Sequence, residues 1–436
     1  MKKAISLLLS LAMLLGIGAM LSVSAADAGL KAGFAQYDFT PEESVNMTGL
    51  AARNSEGLLA PEDRLCATVV AISDADKNTI LMCTVDMLYP YHVTDIRNAI
   101  SKATKVPVAN IHISATHTHS APNPFDSGFG ESYTDGFVDA AERAIADMAP
   151  VSATKIASVE VPYLNQVRHV WRQNGHVNGN NFVSTNPGAW GYNIYEPDRE
   201  MQIIRFVRDD KKDVVMLNWQ SHGTTASCLT DYAKAHKPYL STDWIGWCRR
   251  YVEAQDPDTQ VAVYVGASAD VNSYHQSATI RKQEQDVSPE DTTVLGARLG
   301  DYVLTAMKNM KTVNTNGPVK SMEIAHKTPD VANTAFVGVL LTAASIGNVI
   351  GFASAPYEMY TNLGKYIKAN SPFEMTFVLS NSNGNNSYVP VMYAYDYPQL
   401  FTGNPVAYGV TMTKFASGSG EDFSYSLVGM LNALYK

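Results

Sequence analysis

The sequence predicts an α/β fold, with a mixed, largely parallel central sheet, flanking helices and a packed C-terminal lobe. Two observations predict it. Runs rich in Val and Ile are apolar at both parities, the pattern of strands covered on both faces. Each run leads into helical patterning, and strand then helix, repeated, builds α/β layers. Strands are expected at CATVVAIS (66–73), TILMCTVD (79–86), NIHISATHTH (110–119), DVVMLNWQSH (213–222) and VAVYVGASAD (261–270). Helices are expected over 93–102, 134–148, 243–254 and 290–309. The Asn/Gly-rich stretch 172–193 reads as a loop, of a kind that often borders a site. From about Thr328, the run AFVGVLLTAASIGNVIGFAS, a helix near 358–369, the strand MTFVLSNSN and a last helix over 420–436 form a lobe packed on the first. No repeat or low-complexity tract interrupts this order.

The first 25 residues carry two lysines, an uncharged apolar run and then Val23-Ser24-Ala25, the small-x-small pattern that a signal peptidase accepts. A signal peptide over 1–25 and an exported protein are expected. No later segment approaches the roughly 18 uncharged apolar residues of a spanning helix, so no stable membrane insertion is expected. The formal net charge is −9, with no basic run, which argues against nucleic acid as a partner. Four cysteines, Cys66, Cys83, Cys228 and Cys248, make no C-x-x-C and no disulfide scaffold; paired and reduced states both remain open, as does the oligomeric state.

The stretch NIHISATHTHSAPNP runs an apolar strand into His117 and His119. Alternation places both on the strand face of Ile111, Ile113 and Ala115, as a buried face continued to its mouth. Imidazoles there lose hydration unless a hydrogen-bond partner, a metal or a substrate group compensates. The runs ending at Asp86, His119, His222 and Asp270 all finish on chemically capable residues, and ligands bind beyond the carboxyl ends of strands in open sheets. His117, His119 and His222 are therefore the imidazole set for a metal, which needs a further carboxylate. His112 falls on the opposite strand face. The remaining histidines read as surface or packing residues. An amidohydrolase barrel also uses H-x-H, but directly after its first strand.

At these residues the chain resembles the neutral/alkaline (non-lysosomal) ceramidase family, in its N-terminal catalytic domain. Motifs match in order: KAGFAQYDFTP, NMTGL, APEDRLCATVVAI, TVDM and NIHISATHTHSAPN, then NQVRHVW, EPDREMQIIRF, VVMLNWQSHGTT, ASAPYEMYTNLGKYIKANSP, NSNGNNSYVPVMYAYDY and ASGSGEDF. The resemblance implies one zinc ion per chain on His117, His222, Glu358 and Tyr388. It places His119 towards substrate and Arg168 in the pocket, and implies one catalytic domain over 26–436 without the family's C-terminal immunoglobulin-like domain. Tyr388 is an unusual ligand because a phenol titrates near ~10, so a hydrogen bond to an oxyanion is its alternative role.

The chain also departs from the pattern. The serine of the family's Gly-Asp-Val-Ser-Pro falls on Asn272 in GASADVNSYH, a substrate-binding position that leaves lipid specificity open. The imitation QDVSPED reads instead as a helix start, with Ser288 as N-cap and Pro289 in the first turn. The expected function is secreted, zinc-dependent hydrolysis of an N-acyl amide, ceramide-like or another small-molecule or lipid substrate. The alternatives are a zinc esterase or deacylase of a cell-envelope or glycan substrate, and a non-catalytic binding protein that keeps the pocket.

Overall fold

The computed structural model describes residues 29–43, 45–48, 56–57, 63–125, 129–168, 170–171, 177–178, 192–193, 195–226, 240–273, 289–400 and 409–436. The segment expected to be a signal peptide, Cys228, Ser288 and most of the 172–193 stretch lie outside the described residues. Strands β1 (Lys31–Asp38), β2 (Cys66–Ser73) and β3 (Thr79–Val85) precede helix α1 (Val93–Thr104). Strand β4 (Ile111–Ala115), helix α2 (Phe129–Ala146), and strands β5 (Ala149–Glu160), β6 (Glu200–Arg208) and β7 (Asp213–Trp219) follow. Helix α3 (Asp243–Gln255), strand β8 (Thr259–Val265) and helix α4 (Pro289–Met307) complete the first layer set. Helix α4 opens at Pro289, where the missing N–H costs nothing.

These strands form one mixed sheet in the order β8-β7-β6-β5-β1-β2-β3-β4, with the short strand Lys311–Val313 also on β5. The α/β class, the mixed sheet and the flanking helices are as expected, but the sheet is less parallel than expected. Only β3–β4 and β7–β8, at its two ends, pair in parallel, and the pairings between them are antiparallel. The physical reason is coverage. Val69 and Ala71 of β2 face helices α1 and α2 through Ile96, Ile100, Phe137 and Ala141. Val70 and Ile72 face an inner core with Ile204, Met216, Ala262 and Tyr264. Apolar residues at both parities report burial on both faces, which an antiparallel strand between two covering layers also has.

The C-terminal lobe supplies the second cover. Strands β9 (Val319–Pro329), β10 (Phe336–Ile346), β11 (Ile350–Ser354) and, after helix α5 (Thr361–Asn370), β12 (Met375–Leu379) form a sheet in the order β9-β10-β11-β12. Its inner face gives Ala344, Ile350, Phe352 and Phe377 to the shared core. Its outer face packs under α5 and the last helix, α6 (Ser419–Tyr435), through Leu341, Leu363, Ile367, Phe423 and Leu431. The lobe thus begins at Val319, before the expected Thr328.

The main sheet curls until its ends meet. The Thr84 hydroxyl donates to Val263 O at 3.0 Å and the Tyr264 hydroxyl to Met82 O at 2.9 Å, tying β3 to β8. The Asn218 amide donates to Val378 O at 3.1 Å, tying β7 to the second sheet. This curl sets the carboxyl ends of the two parallel edge pairs side by side. Cys66, Cys83 and Cys248 are free and buried, so no disulfide forms among the described residues.

Candidate metal centre

Strand β4 stops at Ala115, earlier than expected. Thr116 and His117 then donate their N–H groups to Val85 O (2.8 Å) and Met87 O (3.0 Å), and His117 takes the left-handed conformation at φ 60°. The two histidines are therefore not neighbours on one strand face; the backbone turns between Ala115 and His119. Thr118 forms a bridge with Gly223, and the His119 N–H donates to Gly223 O at 2.8 Å. A Cβ on Gly223 would stand 3.0 Å from the Thr118 Cα and from the Ile245 side chain, so any larger residue must push these neighbours apart.

The turn brings the rings together nonetheless. The Nε2 atoms of His117 and His119 lie 3.3 Å apart, and the ligand atoms of His117, His119 and His222 all fall within 4.8 Å of one another. His222 sits beyond β7, fixed by its N–H to Val271 O at 3.0 Å. Its Nδ1–H donates to Ser268 O at 2.7 Å, and the Nδ1–H of His117 donates to Leu88 O at 2.7 Å. A carbonyl can only accept, so both rings carry a proton on Nδ1 and turn their Nε2 atoms inward.

Glu358 arrives from the other lobe. It is not on a helix face, as the sequence suggested, but in the two-residue strand Glu358–Met359 ahead of α5. That strand pairs in parallel with Tyr388–Val389, and Tyr388 is the register partner of Glu358. The Glu358 Oε2 lies 3.3 Å from the Nε2 of His117 and 3.3 Å from the Nε2 of His222. Its Oε1 accepts a hydrogen bond from the Tyr89 hydroxyl at 2.9 Å. Glu358 is 2% exposed, and its Oε2 and the His222 Nε2 have no hydrogen-bond partner.

Electrostatics completes the picture. Burial and the Arg168 charge press the His222 pKa down to about 4. Burial, with His117 and His222 alongside, holds His119 well below the usual imidazole range. Burial acts to raise Glu358, but its histidine neighbours outweigh it and keep the carboxyl well below its usual range. Neutral His119 and His222 and an ionised Glu358 thus crowd one point of a buried site, an arrangement that a cation stabilises. A tetrahedral ion with bonds of about 2.0 Å spaces its ligand atoms by about 3.3 Å, the spacing of Glu358 Oε2 from each of the two imidazoles.

The other expected residues lie close by. Arg168, fully buried, donates its Nε–H to Asn272 Oδ1 at 2.7 Å. Asn272 lies on the short strand Val271–Ser273, paired with Asn165–Val167, and the carbonyl of Val271 is the one that anchors His222. Of the two aspartates that end strand runs, Asp86 is structural, accepting from Cys66 N at 2.9 Å and Arg249 at 3.2 Å. Asp270 accepts the Thr361 N–H at 2.7 Å and so pins the start of α5. His112 faces away from the centre, against Ser321 at 3.0 Å. Sequence reasoning assigned no role to the segment Met87-Leu88-Tyr89, of which only Met87 falls within a motif, at the end of TVDM. Its one signal is that it directly follows the strand ending in Asp86.

No family model matches the sequence, and no curated protein matches it in sequence. Solved structures do match in fold. The neutral ceramidase of Pseudomonas aeruginosa superposes with a TM-score of 0.69 at 14% identity, covering 93% of this chain and 74% of that one. A ceramidase complexed with C2 superposes with a TM-score of 0.69 at 15% identity, covering 93% of this chain and 75% of that one. The chain has a neutral ceramidase-like fold.

Proposed function

We propose that a protein of this fold and this site is a zinc-dependent hydrolase of an N-acyl amide, acting outside the cytoplasm after loss of its N-terminal leader. The observation that carries the reading is the convergence of the Nε2 atoms of His117 and His222 with Glu358 Oε2, at 3.3 Å spacings in a buried site. Zinc held there supplies Lewis acidity and an activated water at neutral pH. His117 and His222, locked by carbonyls on their Nδ1–H groups, keep their lone pairs on the ion.

His119 stays neutral beside these ligands and is the group to take or return a proton as the amide breaks, worth on the order of 10²-fold or more. Tyr388, in register with Glu358, is either a fourth ligand or a donor to the developing oxyanion. Arg168 and Asn272, hydrogen-bonded to each other, hold the polar groups of the substrate. Asn272 can donate or accept a hydrogen bond but cannot act as a serine-like nucleophile. No described helix is long and apolar enough to cross a membrane.

The test is zinc analysis coupled to a screen of N-acyl amides. About one zinc per chain is expected, lost in His117→Ala and in His222→Ala, with turnover removed by a chelator and restored by zinc. Equal zinc in variants and parent would remove the site assignment. Zinc-loaded protein that cleaves esters alone points to the deacylase reading, and one that cleaves nothing points to a binding protein.

A further inference from the structure

Three consecutive residues with no site role assigned from sequence, Met87, Leu88 and Tyr89, grip two of the candidate ligands, which lie far apart in the chain. Met87 O accepts the His117 N–H at 3.0 Å, and Leu88 O accepts the His117 Nδ1–H at 2.7 Å. The Tyr89 ring lies 5.3 Å from the His117 ring, centroid to centroid, and its hydroxyl donates to Glu358 Oε1 at 2.9 Å. The two carboxylate oxygens of Glu358 are thereby given different work. Oε1 is engaged by the phenol, and Oε2 faces His117 and His222.

We propose that Tyr89 is a positioning residue that makes Glu358 a one-oxygen ligand and so sets the coordination number of the bound ion. The inference rests on the metal reading above. A carboxylate with both oxygens turned to an ion can chelate it, adding a ligand and closing a position that substrate or water needs; one whose far oxygen is drawn towards an O–H donor is oriented to bind through the near oxygen. Catalytic zinc keeps such a position open, and the groups that orient its ligands typically matter by about 10- to 100-fold in metal affinity. Tyr89 also packs edge to ring with Tyr91 at 6.0 Å, so the ring has support beyond the hydroxyl.

The test uses the whole protein, with zinc and cobalt(II) as probes. Tyr89→Phe removes the O–H and keeps the ring against His117. Competition with a chelator should give a zinc affinity weaker by about 10- to 100-fold. The cobalt form should show a weaker visible absorption, as expected when a four-coordinate ion gains a ligand, while the metal-free variant stays folded with a cooperative melt, lowered by the lost hydrogen bond. Tyr91→Phe, two residues along and packed against the Tyr89 ring, should behave as the parent. Parent protein that binds zinc, with Tyr89→Phe within twofold in affinity and unchanged in its cobalt spectrum, overturns the role of Tyr89 alone. An equal loss in Tyr91→Phe also overturns it, since the loop and not the hydroxyl would then be responsible. Parent protein that binds neither ion overturns the metal centre and, with it, this role.

Discussion

His112 and His117 are separated by four residues of one segment, and the fold gives them opposite fates. His117 turns into the candidate centre, whereas His112 is buried against the second sheet. The Ser321 hydroxyl donates to Ala109 O at 2.7 Å, so it accepts from the His112 Nε2–H. Burial, and then the charge of Arg97, itself paired with Glu323, press the His112 pKa down to about 3 from an ordinary 6.5. The folded chain keeps this ring neutral where the unfolded chain takes a proton, so its contribution is intact above about pH 6.5 and is lost as pH falls towards 3. In metal-free protein, the slope of stability against pH in this window should be shallower in His112→Gln by up to about 1.4 kcal/mol per pH unit, whatever the overall loss. Denaturant titrations at several pH values measure it, and parallel slopes in variant and parent would refute it. The opposite-face placement of His112 was legible from strand alternation. Glu358 and Tyr388 carried no signal of their own, and only the ordered motif resemblance singled them out.

Among elements, the decisive contact is between the turn after β4 and the turn after β7. Neither strand reaches its histidine: β4 ends at Ala115 and β7 at Trp219, and the backbone beyond each is held by hydrogen bonds from other segments. The expectation of an imidazole pair projecting from one strand failed for that reason, since periodicity cannot register a positive φ at His117. Gly223 permits the approach. In Gly223→Ala the new methyl meets the Thr118 Cα and the Ile245 side chain at 3.0 Å and the His117 carbonyl at 3.1 Å. Backbone on one side cannot yield as a side-chain tip can, so the variant should lose about 1–3 kcal/mol and bind zinc more weakly. Thermal melts with and without zinc would check this, and a parent-like zinc-induced shift in melting temperature would show that the turns tolerate separation.

Over the whole molecule, the chain is acidic, at a formal net charge of −9, and no described helix can span a bilayer. An anionic membrane surface repels such a protein. Hydrolysis of dispersed N-acyl amides should therefore exceed hydrolysis of ceramide in anionic vesicles by at least roughly tenfold, about 1.4 kcal/mol in barrier. Comparable rates on the two presentations would instead mark an enzyme that works on membrane lipid.

The same scale separates what sequence could determine from what it could not. Apolar runs at both parities determined where the strands lie and that both faces are covered, because side-chain alternation is a local property of the chain. The H-x-H pair and His222 announced a metal-capable set for a similar reason, since imidazoles at the ends of apolar runs are costly without a partner. Strand direction was not local, and an antiparallel sheet sandwiched between helices and a second sheet reads as a parallel one does. The motif resemblance alone pointed to the carboxylate and the tyrosine, whereas their pairing in register and the Tyr89 hydroxyl on the far carboxylate oxygen belong to the tertiary structure. Residues 89, 117, 222 and 358 share one point only because the main sheet curls end to end and the second lobe closes over it, and no pattern within a window of sequence encodes that meeting.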